Sequence, residues 1–342
     1  MRVGFNPQKN KEQHQDHYFH QVILPVYIPS FEGYFKESFA ILQYCIDSLL
    51  RTIHFKTTIT VVNNGSCDTV VVYLNELLQS GKIQELIHTT NIGKMNAVLK
   101  GLSGNRYALV TVADADVLFL PGWQKATYQI LENFPKAGAV CPTPSSRSYK
   151  TFTSNILWDY FWSGKLKFTE VINPEGLKAF AHSVGNDDFY NEYQLQKYLT
   201  ITENNCRAVV GAGHFLATYR KEIFGDILPK YTKYNLGGTS EQDILDVPVV
   251  KAGYYRLSTE DNYAFHLGNV KEPWMTDALD KVKNTPVTEV NQPDFKIIKA
   301  TGVGYFIKIR LFSKIIFHKS ILSLFFRFKG LPTQMVQTYL KN

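Results

Sequence analysis

Cysteine is scarce in this chain, and its first residues contain no long apolar run. The 342 residues include four cysteines, which lie far apart with no Cys-x-x-Cys pair, so the sequence indicates neither a zinc site nor a disulfide framework. The first twenty residues are polar and have no apolar segment of the kind found in a signal peptide. Both observations favour a protein of the reducing cytoplasm.

Acidic residues are absent from the C-terminal end of the chain. No Asp or Glu follows Asp294, whereas nine Lys or Arg do, so this tail accounts for the net charge of +7 and the rest of the chain is close to neutral. Nucleic-acid binding by a folded domain needs a basic face on that domain. The nearly neutral body therefore argues against a nucleic-acid partner.

The tail, residues 296–342, mixes bulky apolar residues with cations. Its charges interrupt each apolar run well before the length that spans a bilayer. One interpretation is a basic amphipathic helical tail that lies in the headgroup layer of an anionic leaflet, which would make the protein peripheral at the inner face of the cell membrane. The alternative is a helix that packs on the body or in an oligomer interface.

Strand-like and helical patterns alternate through the body, whose 44% hydrophobic content can fill a large core. Apolar runs predict strands over 22–27, 57–62, 83–88, 107–112 and 137–141, and a strand-like segment over 263–269. Helical spacing predicts helices over 37–53, 68–78 and 94–102, within 121–142 and around 240–252. This alternation predicts an α/β fold with a mostly parallel sheet flanked by helices. Residues 142–205 lack such a pattern, and we expect an irregular excursion that builds part of a binding surface.

The most informative segment places two carboxylates, Asp114 and Asp116, at the end of a Val-rich and Leu-rich run. Such a run is typical of a strand buried on both faces, and open α/β sheets bind ligands at the carboxyl ends of their strands. The pair can bind Mg²⁺ or Mn²⁺, which would bridge to a diphosphate. The alternative is that Asp114 caps the next helix and Asp116 is merely solvated.

Four short motifs resemble those of glycosyltransferase family 2 of GT-A type, and the resemblance covers residues 20–270. They occur in the family's order: Leu24-Pro25-Val26-Tyr27, then Val61-Val62-Asn63-Asn64-Gly65-Ser66-Cys67-Asp68, then Asn91-Ile92-Gly93-Lys94-Met95-Asn96-Ala97, then Asp114-Ala115-Asp116 with Pro121-Gly122-Trp123 after it. Each motif alone is weak evidence. Together, at the expected spacing, they are specific.

This resemblance implies a GT-A type, Rossmann-like fold and a metal-dependent, inverting transfer from a nucleoside diphosphate sugar, with a UDP-sugar as first choice. The implied acceptor is a glycan or a lipid-linked molecule in cell-surface polysaccharide synthesis. The implied metal ligands, for Mn²⁺ or Mg²⁺, are Asp116 and His266, with Asp114 at the ribose or in the cation's outer shell. The residues implied to bind the nucleotide sugar are Pro25, Tyr27, Asn63, Asn64, Lys94, Asp114, Asp116, Gly213 and His214.

The chain departs from the family pattern in two places. Asn63 and Asn64 stand where the family has paired acids after the second strand. Their amides keep acceptor oxygens and add donors, so they can still contact a base edge. The position of the catalytic base is Gln242, which cannot take a proton. Glu241 or Asp243 must then serve as the base, unless both simply favour the amino end of their helix.

Two other functions are compatible with these departures or with the fold. A catalytically silent glycan-binding or scaffold protein would explain the three amides. A sugar nucleotidyltransferase would need a glycine-rich, arginine-bearing loop, which residues 25–35 do not contain. The expected organisation is a polar extension over 1–20, a domain over 21–275 with a nucleotide-binding half (21–142) and an acceptor-binding half (143–275), and a linker and basic tail over 276–342.

Overall fold

The computed structural model describes residues 3–12, 17–225, 230–282, 290–295, 297–298 and 301–341. The strands in this part of the chain are β1 His20–Val26, β2 Thr57–Asn63, β3 Glu85–His88, β4 Leu109–Ala113, β5 Val117–Phe119, β6 Ala137–Cys141, β7 Leu166–Glu170, β8 Lys197–Glu203, β9 Cys206–Val210, β10 Leu216–Arg220, β11 Tyr255–Ser258 and β12 Ala264–His266.

The α-helices of the same residues follow in chain order. They are α1 Ser38–Thr52, α2 Asp68–Gln79, α3 Lys94–Leu102, α4 Trp123–Asn133, α5 Ser154–Asp159, α6 Pro174–Ser183, α7 Val247–Lys251, α8 Pro273–Lys281, α9 Gly302–Tyr305, α10 Phe312–Ile316, α11 Lys319–Phe328 and α12 Thr333–Tyr339. Two π-helical segments, Gln242–Asp246 and Phe306–Leu311, directly precede α7 and α10.

Ten strands form one sheet in the order β3-β2-β1-β4-β10-β6-β11-β9-β8-β7. The half made of β3, β2, β1 and β4 is parallel, and every residue of β1, β2 and β4 is buried, as expected for strands covered on both faces by helices. β10 then pairs antiparallel with β4 and β6, so the whole sheet is mixed. The predicted α/β class, a large sheet flanked by helices, is confirmed.

Several predicted boundaries agree with the structure, and one predicted region does not. The helix over 94–102 and the strand over 137–141 have the predicted ends. Residues 142–205 were expected to be irregular, yet they contain α5, α6 and the strands β7 and β8, which extend the main sheet. The pattern misses β7 because this edge strand buries only alternate side chains. A second omission is β5, whose three residues are too few to give a periodic signal.

The tail helices pack on the body. Apolar side chains of the described residues 301–341 join the same buried cluster as α4, β7 and β8; they are Ile316, Leu322, Phe325, Phe326, Leu331, Met335, Val336 and Tyr339. The backbone N–H of Phe168 in β7 also donates to the carbonyl of Lys329, at 3.0 Å. Of the two interpretations of the tail, packing on the body is therefore observed. Within the described ranges, no helix is both long and apolar enough to cross a membrane.

Candidate functional site

Polar side chains follow the three neighbouring parallel strands β1, β2 and β4. Tyr27 comes after β1, Asn64 after β2, and Asp114 and Asp116 after β4. Because parallel strands end at the same edge of a sheet, these side chains meet around one cavity of 360 Å³, here called the Tyr27 cavity. Its other lining residues include Pro25, Tyr34, Asn91, Lys94, Asn235, Leu236 and Asn269.

The two amides after β2 have different surroundings. Asn64 lines the Tyr27 cavity, and its Oδ1 accepts a hydrogen bond from the N–H of Ile92 at 2.9 Å. Asn63 is directed into the turn instead, where its Oδ1 accepts from the N–H of Ser66 at 3.0 Å and its Nδ2 lies 2.9 Å from Nδ1 of His88. Asn63 therefore shapes the turn, and of the two amides Asn64 is the one brought into the cavity.

Glycine at position 93 lets the segment before α3 approach its neighbours closely. Its φ is +91°, and a Cβ there would lie 2.7 Å from the carbonyl oxygen of Tyr234. Only glycine tolerates this combination without strain. The close approach is also fixed by a hydrogen bond from the N–H of Lys94 to the carbonyl of Asn235, at 2.8 Å. The first residue of α3, Lys94, is thereby placed at the edge of the sheet.

Lys94 lies between two carboxylates. Its Nζ is 2.7 Å from Oδ1 of Asp114 and 2.8 Å from Oε1 of Glu241. Burial acts to lower the pKa of Lys94, but the two carboxylates raise it above the ordinary value. Burial acts to raise the pKa of Glu241, but Lys94 lowers it below the ordinary value. Lys94 and Glu241 are therefore held in their charged forms.

Asp116 lies beside His266, because β5 and β12 pair with Val117 opposite His266. Nε2 of His266 is 3.5 Å from Oδ2 of Asp116, and Nδ1 of His266 is 2.9 Å from Oγ of Ser183. Burial raises the pKa of Asp116 above its ordinary value, an effect that His266 partly opposes. Oδ1 of Asp116 is buried without a hydrogen-bond partner, as expected for an atom that awaits a ligand.

The three predicted metal ligands do not form a complete cluster in the structure. No group of three or more His, Cys, Asp or Glu side chains in the described residues is arranged to hold a metal ion, and Asp114 is paired with Lys94. Asp116 and His266 offer one unpaired oxygen and one imidazole nitrogen. This donor set fits Mg²⁺ or Mn²⁺, which usually bind through one or two carboxylates together with substrate phosphates.

A second cavity, of 570 Å³, adjoins the first and is here called the His214 cavity. Lys94 and Asp114 line both cavities. Gly213, His214, Glu241 and His266 line the second cavity only, together with aromatic side chains from the region over 142–205, namely Tyr149, Phe180, Phe189 and Tyr190. That region therefore forms part of a cavity wall, as the sequence predicts, although through regular elements.

His214, which lines this cavity, contacts a buried ion pair that the sequence patterns did not indicate. Nε2 of His214 lies 2.8 and 2.7 Å from the two carboxylate oxygens of Asp246, and NH2 of Arg256 lies 2.7 Å from Oδ1 of Asp246. The side chains of Asp246 and Arg256 are each 1% exposed. A signal was available, because Asp246 interrupts the apolar run Ile244–Val250, and a carboxylate in such a run is rarely buried without a partner.

The predicted carboxylates Glu241 and Asp243 face different surroundings. Glu241 lines the His214 cavity. Asp243 is exposed, outside both cavities, and its Oδ2 accepts a hydrogen bond from Oγ1 of Thr239 at 2.6 Å. Gln242 is also exposed and lies outside both cavities. The structure therefore brings Glu241 to the remaining site residues, and it leaves Asp243 at the helix end.

Comparison with known proteins gives one family match. The model of the family described as "Glycosyl transferase family 2" matches residues 26–227. No curated protein sequence matches the chain significantly.

Solved structures give similarities of low identity. The mannosyltransferase PcManGT from Pyrobaculum calidifontis in complex with GDP-Man and Mn²⁺ is 15% identical with a TM-score of 0.39, covering 71% of this chain and 55% of its own. TarS 1–349 of S. aureus in complex with UDP-GlcNAc is 12% identical with a TM-score of 0.42, covering 94% and 70%. A second structure of TarS 1–349 of S. aureus is 11% identical with a TM-score of 0.43, covering 94% of this chain and 82% of its own. The chain thus spans little more than half the length of the first of these.

Proposed function

The chain belongs to glycosyl transferase family 2, and on this basis we propose that it is a metal-dependent, inverting enzyme that uses a nucleoside diphosphate sugar. That it is a glycosyltransferase follows from the family, which confirms the sequence-based prediction. The observation that supports the finer proposal is the ion-paired group at the boundary of the two cavities. Lys94 binds Asp114 on one side and Glu241 on the other. Its side chain therefore lies where the Tyr27 cavity and the His214 cavity meet.

The donor is proposed to bind in the Tyr27 cavity. The exposed ring of Tyr27 and the amide of Asn64 offer a base a flat surface and a hydrogen-bonding edge. Asp114, which pairs with Lys94, lines the cavity and would accept hydrogen bonds from ribose hydroxyls, and Lys94 would face the phosphates. UDP is the first nucleotide to test. This assignment makes residues 21–142 the main nucleotide-binding half.

Asp116 and His266 are the residues that would hold Mn²⁺ or Mg²⁺. Bound there with the diphosphate, the ion would neutralise charge on the leaving group as a Lewis acid. Asp116 provides the oxygen that has no partner in the protein. His266 is oriented by its contact with Ser183, an arrangement that fixes which ring nitrogen faces a metal.

The acceptor is proposed to bind in the His214 cavity, formed mainly by residues 143–275. Its aromatic walls suit the apolar faces of sugar rings, and Gly213 leaves backbone accessible beside them. In the transfer, an acceptor hydroxyl oxygen attacks the anomeric carbon, whose bond to the diphosphate oxygen breaks, and the diphosphate leaves with the electron pair. Glu241 faces this cavity and is positioned to accept a hydrogen bond from the attacking hydroxyl. The acceptor class stays a glycan or lipid-linked molecule of cell-surface polysaccharide synthesis.

The exposed side of the tail is proposed to contact an anionic membrane surface. Leu311, Ile315, Leu324 and Phe328 of the tail are exposed, and Trp162 of the body lies next to Phe328. The described tail residues carry cations and no acidic side chain. Apolar residues with Lys and Arg suit the headgroup layer of an anionic leaflet, so the protein would lie at the cytoplasmic face of the cell membrane.

Replacement of Asp116 tests the donor and metal assignment. Asp116→Asn keeps the volume of the side chain but removes the charge that a divalent cation needs, so we expect UDP to bind at least about tenfold more weakly in the presence of Mn²⁺. Titration calorimetry with UDP, with and without Mn²⁺, measures this effect. Asp277→Asn, an exposed replacement on α8, is the matched control. Equal affinity and equal Mn²⁺ dependence in the two variants would contradict the proposal.

A further inference from the structure

Neither Glu241 nor Asp243 is suited to accept the proton of the attacking hydroxyl. The position where the family resemblance implies a base is Gln242, whose amide cannot take a proton and whose side chain lies outside the cavity. Asp243 is also outside it. Glu241 does face the cavity, but its ion pair with Lys94 lowers its pKa and makes it a weak proton acceptor. A different group is needed for the proton to leave the hydroxyl.

His214 lines the same cavity, and its hydrogen bonds indicate which ring nitrogen carries the lone pair. Its Nε2 lies within hydrogen-bond distance of both oxygens of Asp246. Asp246 forms an ion pair with Arg256, and the carboxylate of such a pair only accepts hydrogen bonds. The ring proton of the neutral imidazole is therefore on Nε2, which leaves the lone pair on Nδ1. Nδ1 is 4.0 Å from Oε2 of Glu241, and both residues line the His214 cavity.

In the described part of the chain, the charged groups that contact this imidazole either favour such a role or balance it. Asp246 and Glu241 are anionic and stabilise a positive ring, whereas NH2 of Arg256 lies 3.4 Å from Nε2 and opposes it. Lys94 forms an ion pair with Glu241 and so offsets part of its negative charge. Tyr219 lies beside Asp246 and stays a neutral phenol, because burial raises its pKa. A proton gained by His214 would thus lie beside two carboxylates, each of which is also paired with a cation.

We infer that His214 is the general base of the transfer and that Asp246 positions it; this inference rests on the proposed function. As the hydroxyl oxygen bonds to the anomeric carbon and the nucleoside diphosphate departs with the electron pair, the hydroxyl proton moves to Nδ1 of His214. The resulting imidazolium keeps its Nε2–H on Asp246. Glu241 accepts a hydrogen bond from the hydroxyl and faces the new positive charge. The proton returns to solvent after the product leaves.

The orienting carboxylate reaches His214 through an unusual turn. Asp246 ends the π-helical segment Gln242–Asp246, and a π-turn inserts one residue into a helix and changes which side chains face inward. In this chain the turn leaves residues 242 and 243 exposed and buries residue 246. The same local change thus removes the usual base position from the cavity and brings in the partner of His214.

The test uses the full chain with Mn²⁺ and a panel of UDP-sugars, water as acceptor, and released UDP as the readout across pH. We expect the parent rate to fall towards low pH as the imidazole takes up a proton. His214→Gln should lower kcat by about a hundredfold or more, lose that acid limb, and bind UDP with the parent affinity. His17→Gln, an exposed histidine outside both cavities, should match the parent. In His214→Ala, added imidazole should restore part of the rate.

Asp246→Asn tests whether Asp246 positions the ring of His214. The amide can donate to Nε2 and so place the ring proton on Nδ1, and we expect kcat to fall with no change in KM for the donor. Should this variant unfold, because Arg256 loses its buried partner, His214→Gln still decides. A His214→Gln enzyme with the parent rate and pH profile would overturn the inference alone. A parent that neither binds UDP nor releases it from any donor would overturn the proposed function, and the inference with it.

Discussion

Replacement of Phe326 by alanine tests whether the C-terminal helices belong to the folded core. Phe326 is fully buried, and its ring lies 4.8 Å from that of Phe168, 5.0 Å from that of Tyr149 and 5.8 Å from that of Tyr339. Removing a buried Phe side chain costs about 3–5 kcal/mol of the free energy of unfolding. For a chain of this length, whose unfolding entropy is about 0.7 kcal/mol/K, this corresponds to a decrease in Tm of about 4–7 °C.

Leu324→Ala, two residues away on the same helix, is the matched control. Leu324 is 64% exposed, so its replacement should change stability by no more than about 0.5 kcal/mol. Thermal unfolding of the two variants, followed by circular dichroism, makes the comparison. If the tail were a detachable anchor, both variants would unfold at the parent temperature, and that result would refute the packing described above. A chain cut after Pro293 should likewise fail to give a stable domain.

Two further predictions concern the acceptor side and the membrane. Glu241→Gln should lower turnover by about ten- to a hundredfold, because the attacking hydroxyl loses a hydrogen bond to a charged acceptor, worth about 1.5–3 kcal/mol. Asp243→Asn should keep the parent rate; equal rates for both variants would contradict the placement of Glu241. Replacing exposed Leu324 and Phe328 by glutamate should abolish sedimentation with anionic vesicles, and binding of the parent should weaken as salt is raised; recovery of the parent in the supernatant at low salt would exclude the membrane surface.

Local patterns in the sequence predict the parallel half of the fold well. The strand β1 contains the apolar run Val22–Val26, and β2 is rich in the β-branched residues Thr, Ile and Val. Helix α3 begins directly after Gly93, whose position the motif Asn91–Ala97 marks. The same patterns miss β5 and β7, since three residues give no period and an edge strand buries only one face. Amphipathic spacing also shows that the tail has an apolar side, but it does not show what covers that side.

Sequence motifs predict part of the candidate site, whereas contacts between distant elements form the rest and cannot be predicted from the sequence. Asp114 and Asp116 follow a buried strand, so their place at the sheet edge can be predicted. The approach of His266 to Asp116 depends on the pairing of β5 with β12. The partnership of His214 with Asp246 depends on a π-turn and on Arg256 from β11. Both relations join residues far apart in the chain, and neither has a local pattern.

The hydrogen bond between Phe168 and Lys329 affects whether strands of other molecules can pair with this sheet. β7 is the last strand of the sheet, and a last strand offers unpaired backbone groups on which strands of other molecules can pair and aggregate. The carbonyl of Lys329 occupies the N–H of Phe168, and the exposed side chains of Lys167 and Glu170 place charge along the same strand. The tail helices therefore end the sheet, and they help to keep neighbouring molecules apart in a crowded solution.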